Sequence, residues 1–425
     1  MNSEDIRRIN HILYTSFRSQ VHNPHCLIIC YILFFCKAIV NILRFRNCCG
    51  EIGNVLFFVF SNNNKKAVNS IIEKLPPHIY SIWGVSSTDL PWSKFYYKAL
   101  LNLKSFHKLY SSSTIEDKKL MRYFYWYFML TVGYYEVFVR IIKNTPQLQI
   151  VLFSNDHITM NRCMIEAAKK CKIKTLYVQH ASVTEKFPPL CFSYSFLDGM
   201  ESYEKYKSVG KIEGKVYLTG SPRFDELYVF KKKTKGKCIG IALNLMDDCQ
   251  KVLSLCVYLK KTLVWTVIVR PHPLMGKDFP SQYFTQSGIE ISDSTMESSF
   301  AFLSRIRYLV ANESSIHLDA ALMDVPSVLF NFSNTGIKDW YSYIKNGFLT
   351  VCNSYEEVLK SLNENTKLPI DKIRYYNSSY QTNYEGKIGN VIAKFILKEL
   401  SEDGCGEEYM NTIASLKGEY YQLRG

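Results

Sequence analysis

Two stretches of this chain carry side chains suited to holding a phosphate. Arg270-Pro271-His272-Pro273 sets a permanent cation and an imidazole between prolines. Asn312-Glu313-Ser314-Ser315 brings two hydroxyls to the expected start of a helix. Unpaired N–H groups and the helix dipole favour anions at such an end. Alone, a serine pair before a helix is ordinary capping. The two stretches gain meaning together, because each follows a predicted strand of one sheet. Earlier in the chain, Ser154-Asn155-Asp156-His157 and Gln179-His180-Ala181-Ser182 offer a carboxylate and imidazoles of the kind that move protons.

The elements that must position these groups are legible in the pattern. Residues 266–269 form a β-branched apolar run that reads as a buried strand, and the prolines at 271 and 273 end its ladder. Residues 308–311 read as a strand followed by a turn and a helix with Ser314 and Ser315 in its first turn. Residues 324–331 read as the next strand. A strand at 238–243 ends beside Asn244. Strand, helix, strand in alternation is the doubly wound pattern, whose ligands sit at the C-terminal ends of the strands. The first half repeats it. Residues 55–60 are a strand, 61–64 a turn and 65–75 a helix, without the Gly-x-Gly-x-x-Gly of a dinucleotide site. Strands at 149–153 and 174–178 end in the two polar loops named above, and a helix runs from the first loop through Ala168. A short strand from Val216 ends in Gly220-Ser221-Pro222-Arg223-Phe224-Asp225. Residues 231–237, five of them lysine, read as a solvated basic linker between the two series.

Arg-Pro-His-Pro followed by a strand ending in Glu-Ser-Ser resembles the donor half of GT-B transferases of bacterial surface polysaccharides. These are the capsule and lipopolysaccharide glycosyltransferases and the CDP-glycerol glycerophosphotransferases. The His-Pro and Ser-Ser elements are also similar to those that hold CMP in bacterial sialyltransferases. Gln179-His180 and the turn at 220–225 resemble loops of the same families, with Ala181 where the relatives carry glycine. The resemblance spans roughly residues 150–400. It implies an α/β GT-B fold of two Rossmann-like domains with parallel sheets facing across a cleft. Together with the element pattern it gives a layout of a helical segment at 1–50 that could associate with a membrane, a Rossmann-like acceptor domain at 51–230, a Rossmann-like donor-nucleotide domain at 236–385, and a crossing helix and loosely held tail at 386–425.

The implied activity is metal-independent transfer of a sugar or polyol phosphate from a CMP- or CDP-linked donor to a glycan or lipid-linked acceptor. No Asp-x-Asp motif offers to carry a divalent metal, and no cofactor is expected. Developing phosphate charge then falls to Arg270, His272, Ser314 and Ser315, with Asn244, Glu313 and Arg223 as further donor-site candidates. Glu313 could equally bind a ribose hydroxyl or cap a helix. His272 could protonate the leaving phosphate. His180 is the preferred acceptor-side base, since imidazole titrates near neutrality. Asp156 and Glu185 compete with it, and a purely structural Asp156–His157 or Asp156–His180 pair stays open. A UDP-sugar epimerase and a non-catalytic assembly component are the alternatives; the departure at Ala181 is the support for the second.

Composition sets the frame. With 425 residues, 47% hydrophobic and 21% charged, the chain is globular and long enough for two cores. A net charge of +14 favours anionic partners. No zinc-finger or RNP-like spacing points to nucleic acid. Thirteen scattered cysteines fit reduced thiols in the cytoplasm, with Cys48-Cys49 as the one adjacent pair. The apolar stretch at 26–43 contains Lys37 and is flanked by arginines. It reads as a buried or interfacial helix rather than a signal peptide or a span. With the net charge it suggests peripheral attachment at the inner, anionic face of the cytoplasmic membrane. The aromatic region at 90–145 reads as packed core, with an acceptor groove as the alternative.

Overall fold

The computed structural model describes residues 1–44, 50–84, 90–231, 236–364, 369–401 and 404–424. Cys48-Cys49 and most of the lysine run lie outside them. The chain divides into two compact units, Met1–Arg223 with Lys387–Arg424, and Phe224–Gly386.

Unit 1 is built on β1 (Val55–Phe58), β2 (Tyr80–Trp83), β3 (Ile150–Phe153), β4 (Lys174–Val178), β5 (Cys191–Leu197) and β6 (Glu213–Leu218). These are parallel and lie in the order β2-β1-β3-β4-β5-β6. Strands such as Val55–Phe58 and Ile150–Phe153 are apolar at every position because both faces of the sheet are covered. The order reverses between β1 and β3, which makes that gap the switch point where open α/β sheets take ligands.

The first 44 residues are not a separate segment. Ile6, Ile9, Leu13, Cys30 and Phe34 belong to the same core as β1 and β3. The aromatic region fills this core, with Phe95, Phe106, Phe128 and Phe138 buried and Phe95 edge-on to Phe138 at 5.1 Å.

The tail is not loose either. The helix Gly406–Ile413 leads into β13 (Ala414–Lys417) and β14 (Tyr420–Leu423). β14 pairs parallel with β6, covering backbone groups that would otherwise form an open edge. Lys207 holds Glu419 at 2.6 Å, the Tyr194 hydroxyl donates to Glu407 at 2.7 Å, and Lys174 pairs with Glu399. The preceding helix, Ile388–Leu400, packs Phe395 against Tyr194, Phe196 and Tyr217. Its Gly389 lies so close to the Asn62–Ile72 helix that a Cβ would fall 2.6 Å from the Ser70 backbone.

Unit 2 carries β7 (Cys238–Ala242), β8 (Thr266–Arg270), β9 (Glu290–Ile291), β10 (Tyr308–Ala311), β11 (Ser327–Phe330) and β12 (Thr350–Cys352). All are parallel, in the order β12-β11-β10-β7-β8-β9, and the order reverses between β7 and β10. Lys231, the described start of the basic run, is not solvated. Its ammonium bonds Glu385 at 2.7 Å and Asp324 at 3.2 Å. Two local expectations shift. The helix after the serine pair starts at Ile316, so Ser315 is its N-cap, and it is only seven residues long. Residues 61–64 are not a turn: Ser61 caps a helix starting at Asn62.

Candidate functional site: two strand rims

In unit 2 the polar residues gather where β7, β8 and β10 end. Asn244, past β7, donates from its amide to the Glu313 carbonyl past β10 at 3.4 Å. Beneath them Asp247 is buried, accepting from the Asn312 amide at 2.6 Å and the Asn244 N–H at 2.7 Å. Burial pushes the Asp247 carboxyl up, and these hydrogen bonds hold it back. Asn244, Asn312 and Asp247 thus lock the two loops that border the switch point. His317, fully buried, extends the lock. Its Nε2 lies 3.0 Å from the Asn312 carbonyl and its Nδ1 3.0 Å from the Ser327 hydroxyl. A carbonyl only accepts, so Nε2 carries the proton and Nδ1 accepts from Ser327. Burial lowers its pKa to about 4 and keeps the ring neutral.

The expected donor residues part company here. Arg270 ends β8, mostly buried, donating to the Ser292 hydroxyl and the Glu297 carbonyl at 2.8 Å each. Those bonds fix the segment after β9, so part of its guanidinium serves the fold. Glu313 does not cap the helix: its carboxylate accepts from the Lys338 N–H at 3.1 Å and from the Trp340 N–H. His272 caps the short helix Pro273–Asp278, its Nδ1 accepting from the Leu274 N–H at 3.2 Å. In the neutral ring that puts the remaining proton on Nε2 as a donor. Ser315 is exposed and Ser314 half-buried. His272 and the serines stand on either side of β7, on β8 and β10.

In unit 1 four adjacent parallel strands end in titratable groups: Asp156 and His157 after β3, His180 after β4, Asp198 after β5, and Arg223 after β6. Asp156 is buried. Its Oδ1 lies 3.0 Å from His157 Nδ1, and its Oδ2 accepts from the Tyr206 hydroxyl at 2.6 Å, with the Tyr177 hydroxyl next in line at 3.1 Å from that of Tyr206. Asn155 accepts from the N–H groups of His157 and Ile158 at 3.1 and 3.0 Å, which shapes the loop. The His157 ring packs on Phe187 at 4.3 Å and lies 6.3 Å from the His180 ring. His157, not His180, is therefore the imidazole bonded to Asp156.

The argument that made His180 the preferred base fails in the fold. Burial lowers its pKa to about 4, with Asp156 pulling upward and His157 and Arg223 pushing down. A group so reluctant to take a proton is a poor base at neutral pH. Gln179 is committed to the protein: it donates to the Ala181 carbonyl at 3.0 Å and the Ser202 hydroxyl at 2.8 Å, and accepts from the Asp198 N–H at 3.0 Å. Ala181 is not among the residues with positive φ, so this loop does not need glycine there. The feature that favoured a decayed, non-catalytic protein thereby loses its force. Glu185 is exposed.

Arg223 belongs with this rim rather than with the donor residues of unit 2, since its charge acts on both His180 and Asp198. Asp198 was not singled out from the sequence. Burial raises its pKa to about 7 against the pull of Arg223 and Ser221, and its Oδ1 has no hydrogen-bond partner. The signal that could have found it was the run Cys191–Leu197, a strand by composition, followed at once by Asp198-Gly199. Among the described residues no group of three or more His, Cys, Asp or Glu could hold a metal ion.

No family model and no curated protein matches the sequence. Solved structures do resemble it. The UDP-GlcNAc 2-epimerase from Neisseria meningitidis, bound to UDP-GlcNAc, aligns over 81% of this chain and 99% of its own, at TM-score 0.51 and 12% identity. The wall teichoic acid polymerase TagF, soaked with CDPG, aligns over 89% and 99%, at TM-score 0.51 and 12% identity. Identities this low speak for architecture only. The chain has the α/β GT-B fold, with two parallel-sheet units.

Proposed function

We propose that this chain is a glycosyltransferase of bacterial capsule or lipopolysaccharide biosynthesis. It moves a sugar or polyol phosphate from a nucleotide-activated donor, CMP- or CDP-linked, to a growing or lipid-linked glycan. The observation that carries this reading is the rim of unit 2. A switch point bordered by locked loops is flanked by the Nε2–H of His272 on one side and the hydroxyls of Ser314 and Ser315 on the other. Those are donors suited to a phosphate whose charge grows as its bond to the transferred group breaks. Arg270 supplies fixed positive charge and holds its neighbours. Asn244, Glu313 and Asp247 position the loops.

On the acceptor side the reading assigns the base to His157. Asp156 accepts its Nδ1–H, which leaves Nε2 the acceptor facing the Asn155 amide at 3.3 Å; a substrate hydroxyl that displaces this amide can give its proton to Nε2, and the carboxylate stabilises the imidazolium that forms. As that oxygen bonds to the transferred group, the bond to the nucleotide phosphate breaks and the electron pair leaves with the phosphate. His180 stands beside His157 on the same rim, its ring 6.3 Å away.

Thermal stabilisation by CMP, CDP, UDP and GDP tests the donor assignment. A ligand at about 100 times its Kd adds roughly 2.7 kcal/mol. Selective stabilisation by cytidine nucleotides is expected, and indifference to all four overturns the reading. Transfer of a labelled donor to glycan then tests the chemistry. A second reading, sugar-nucleotide epimerisation, is favoured by Asp198, a second carboxyl on the unit 1 rim whose pKa is raised to about 7. Conversion of the free nucleotide sugar without an acceptor would select it.

A further inference from the structure

The helix Leu27–Arg44 has two faces of different fate. Cys30, Phe34 and Ala38, spaced by four, are buried against unit 1. Phe34 packs edge-on to Trp126 at 5.5 Å, Tyr31 packs on Phe106 at 5.8 Å, and the Lys37 ammonium sits 3.8 Å over the Trp126 ring. The opposite face is apolar and bare: Ile28, Ile32, Phe35, Val40 and Leu43 are 71%, 55%, 54%, 58% and 81% exposed. An apolar strip this long, about 27 Å at the helical rise of 18 residues, is not left to water without a partner.

We infer that this face lies in the plane of an anionic phospholipid surface and docks unit 1 there. Charge selects the occupant. The helix packs beside Trp92–Leu101, and its Tyr31 touches Leu103–Ser111. Across the three helices the charged residues are Lys37, Arg44, Lys94, Lys98, Lys104 and Lys108, with no aspartate or glutamate. Tyr97 and Leu101, both exposed on the second helix, add to the apolar surface. Within these three helices the apolar side chains are accompanied only by cations, which matches an acyl boundary beneath anionic headgroups; the nearest acidic groups, Glu116, Asp117 and Glu136, lie on the neighbouring helices. A second copy of the chain would bring six cations against six. The packed face argues against a span. To cross a bilayer the helix would have to pull Cys30, Phe34 and Ala38 from the core and carry Lys37 into hydrocarbon. The inference does not depend on the proposed chemistry.

The test is co-sedimentation of the full chain with vesicles of phosphatidylglycerol mixed with phosphatidylcholine, and of phosphatidylcholine alone. Wild type should bind the anionic vesicles and leave them on washing with alkaline carbonate. The triple variant Ile32→Glu, Phe35→Glu, Val40→Glu should bind them at least about tenfold more weakly, with its thermal midpoint and nucleotide response unchanged. If the triple variant fails to fold, the pair Lys104→Glu and Lys108→Glu, at exposed positions, decides, and a several-fold loss of anionic-vesicle binding is expected. The inference is overturned if wild type ignores anionic vesicles, if the folded variants bind like wild type, or if carbonate leaves the protein embedded. It is equally overturned if the exposed face proves to hold a dimer that the triple variant dissolves while neither protein binds vesicles.

Discussion

Replacing Asp156 by asparagine is the sharpest probe of the unit 1 rim. The side chain keeps its volume, and its remaining carbonyl can still accept from Tyr206, now 2.6 Å away, so the fold should survive. What changes is the partner of His157. With aspartate, Nδ1 donates and Nε2 is the acceptor, facing the Asn155 amide until a substrate hydroxyl takes its place. An amide NH₂ facing Nδ1 reverses the tautomer and puts a proton on Nε2, where the acceptor hydroxyl must deliver its own. Charge is lost as well. At the 3.0 Å contact and an effective dielectric near 20, the gross attraction between carboxylate and imidazolium is about 5.5 kcal/mol. After competition with water, a hydrogen bond to a charged group retains roughly 1.5–3 kcal/mol. At about 1.4 kcal/mol per tenfold, that is a fall in kcat of order 10–10²-fold from charge alone, and the tautomer reversal should carry it to 10² or beyond. Labelled-donor transfer gives kcat, and nucleotide-induced thermal stabilisation, which should not change, gives donor affinity. His180→Ala should cost far less. A rate for Asp156→Asn within threefold of wild type, or a loss residing wholly in nucleotide affinity, would refute the base assignment.

Three further outcomes follow from the same structure. His272→Ala should lower turnover by about 10²-fold, as expected for loss of a charge stabiliser or acid, and steady-state assays of the folded variant check it. His317 is held neutral in the fold with a pKa of about 4, against 6.5 unfolded, so the unfolded chain binds the extra proton and stability falls as pH drops from about 6.5 towards 4. Between pH 7 and 5 this group should account for up to about 2 kcal/mol, so denaturant titrations of His317→Gln should show a shallower acid loss than wild type; equal slopes would discount it. Gly389→Ala would put a Cβ 2.6 Å from the Ser70 backbone, and a loss of roughly 1–3 kcal/mol should appear in the same titrations.

The sequence by itself determined the class of fold and the location of the rims. Short β-branched or apolar runs bounded by polar turns, such as Val267–Val269 and Ile150–Phe153, read as buried parallel strands, and the polar residues directly after them then lie at strand ends. That reasoning is local, so it worked for Asp156, His180, His272 and the serine pair as addresses. It also missed β5, where Ser193 and Ser195 break the apolar run, and Asp198 with it. Roles were another matter, because partners come from far along the chain. Arg270 is held by Ser292 and Glu297, Glu313 by the backbone of Lys338 and Trp340, and Asp156 by Tyr206, fifty residues downstream. Burial likewise is a property of the assembled core. It lowered the pKa of His180, the preferred base, to about 4, while the fold set the ring of His157, next to Asp156 all along, against that carboxylate. The tail shows the same division: Tyr420–Leu423 pairs locally with Ala414–Lys417 across Gly418, but only the tertiary structure brings this hairpin to the edge of β6.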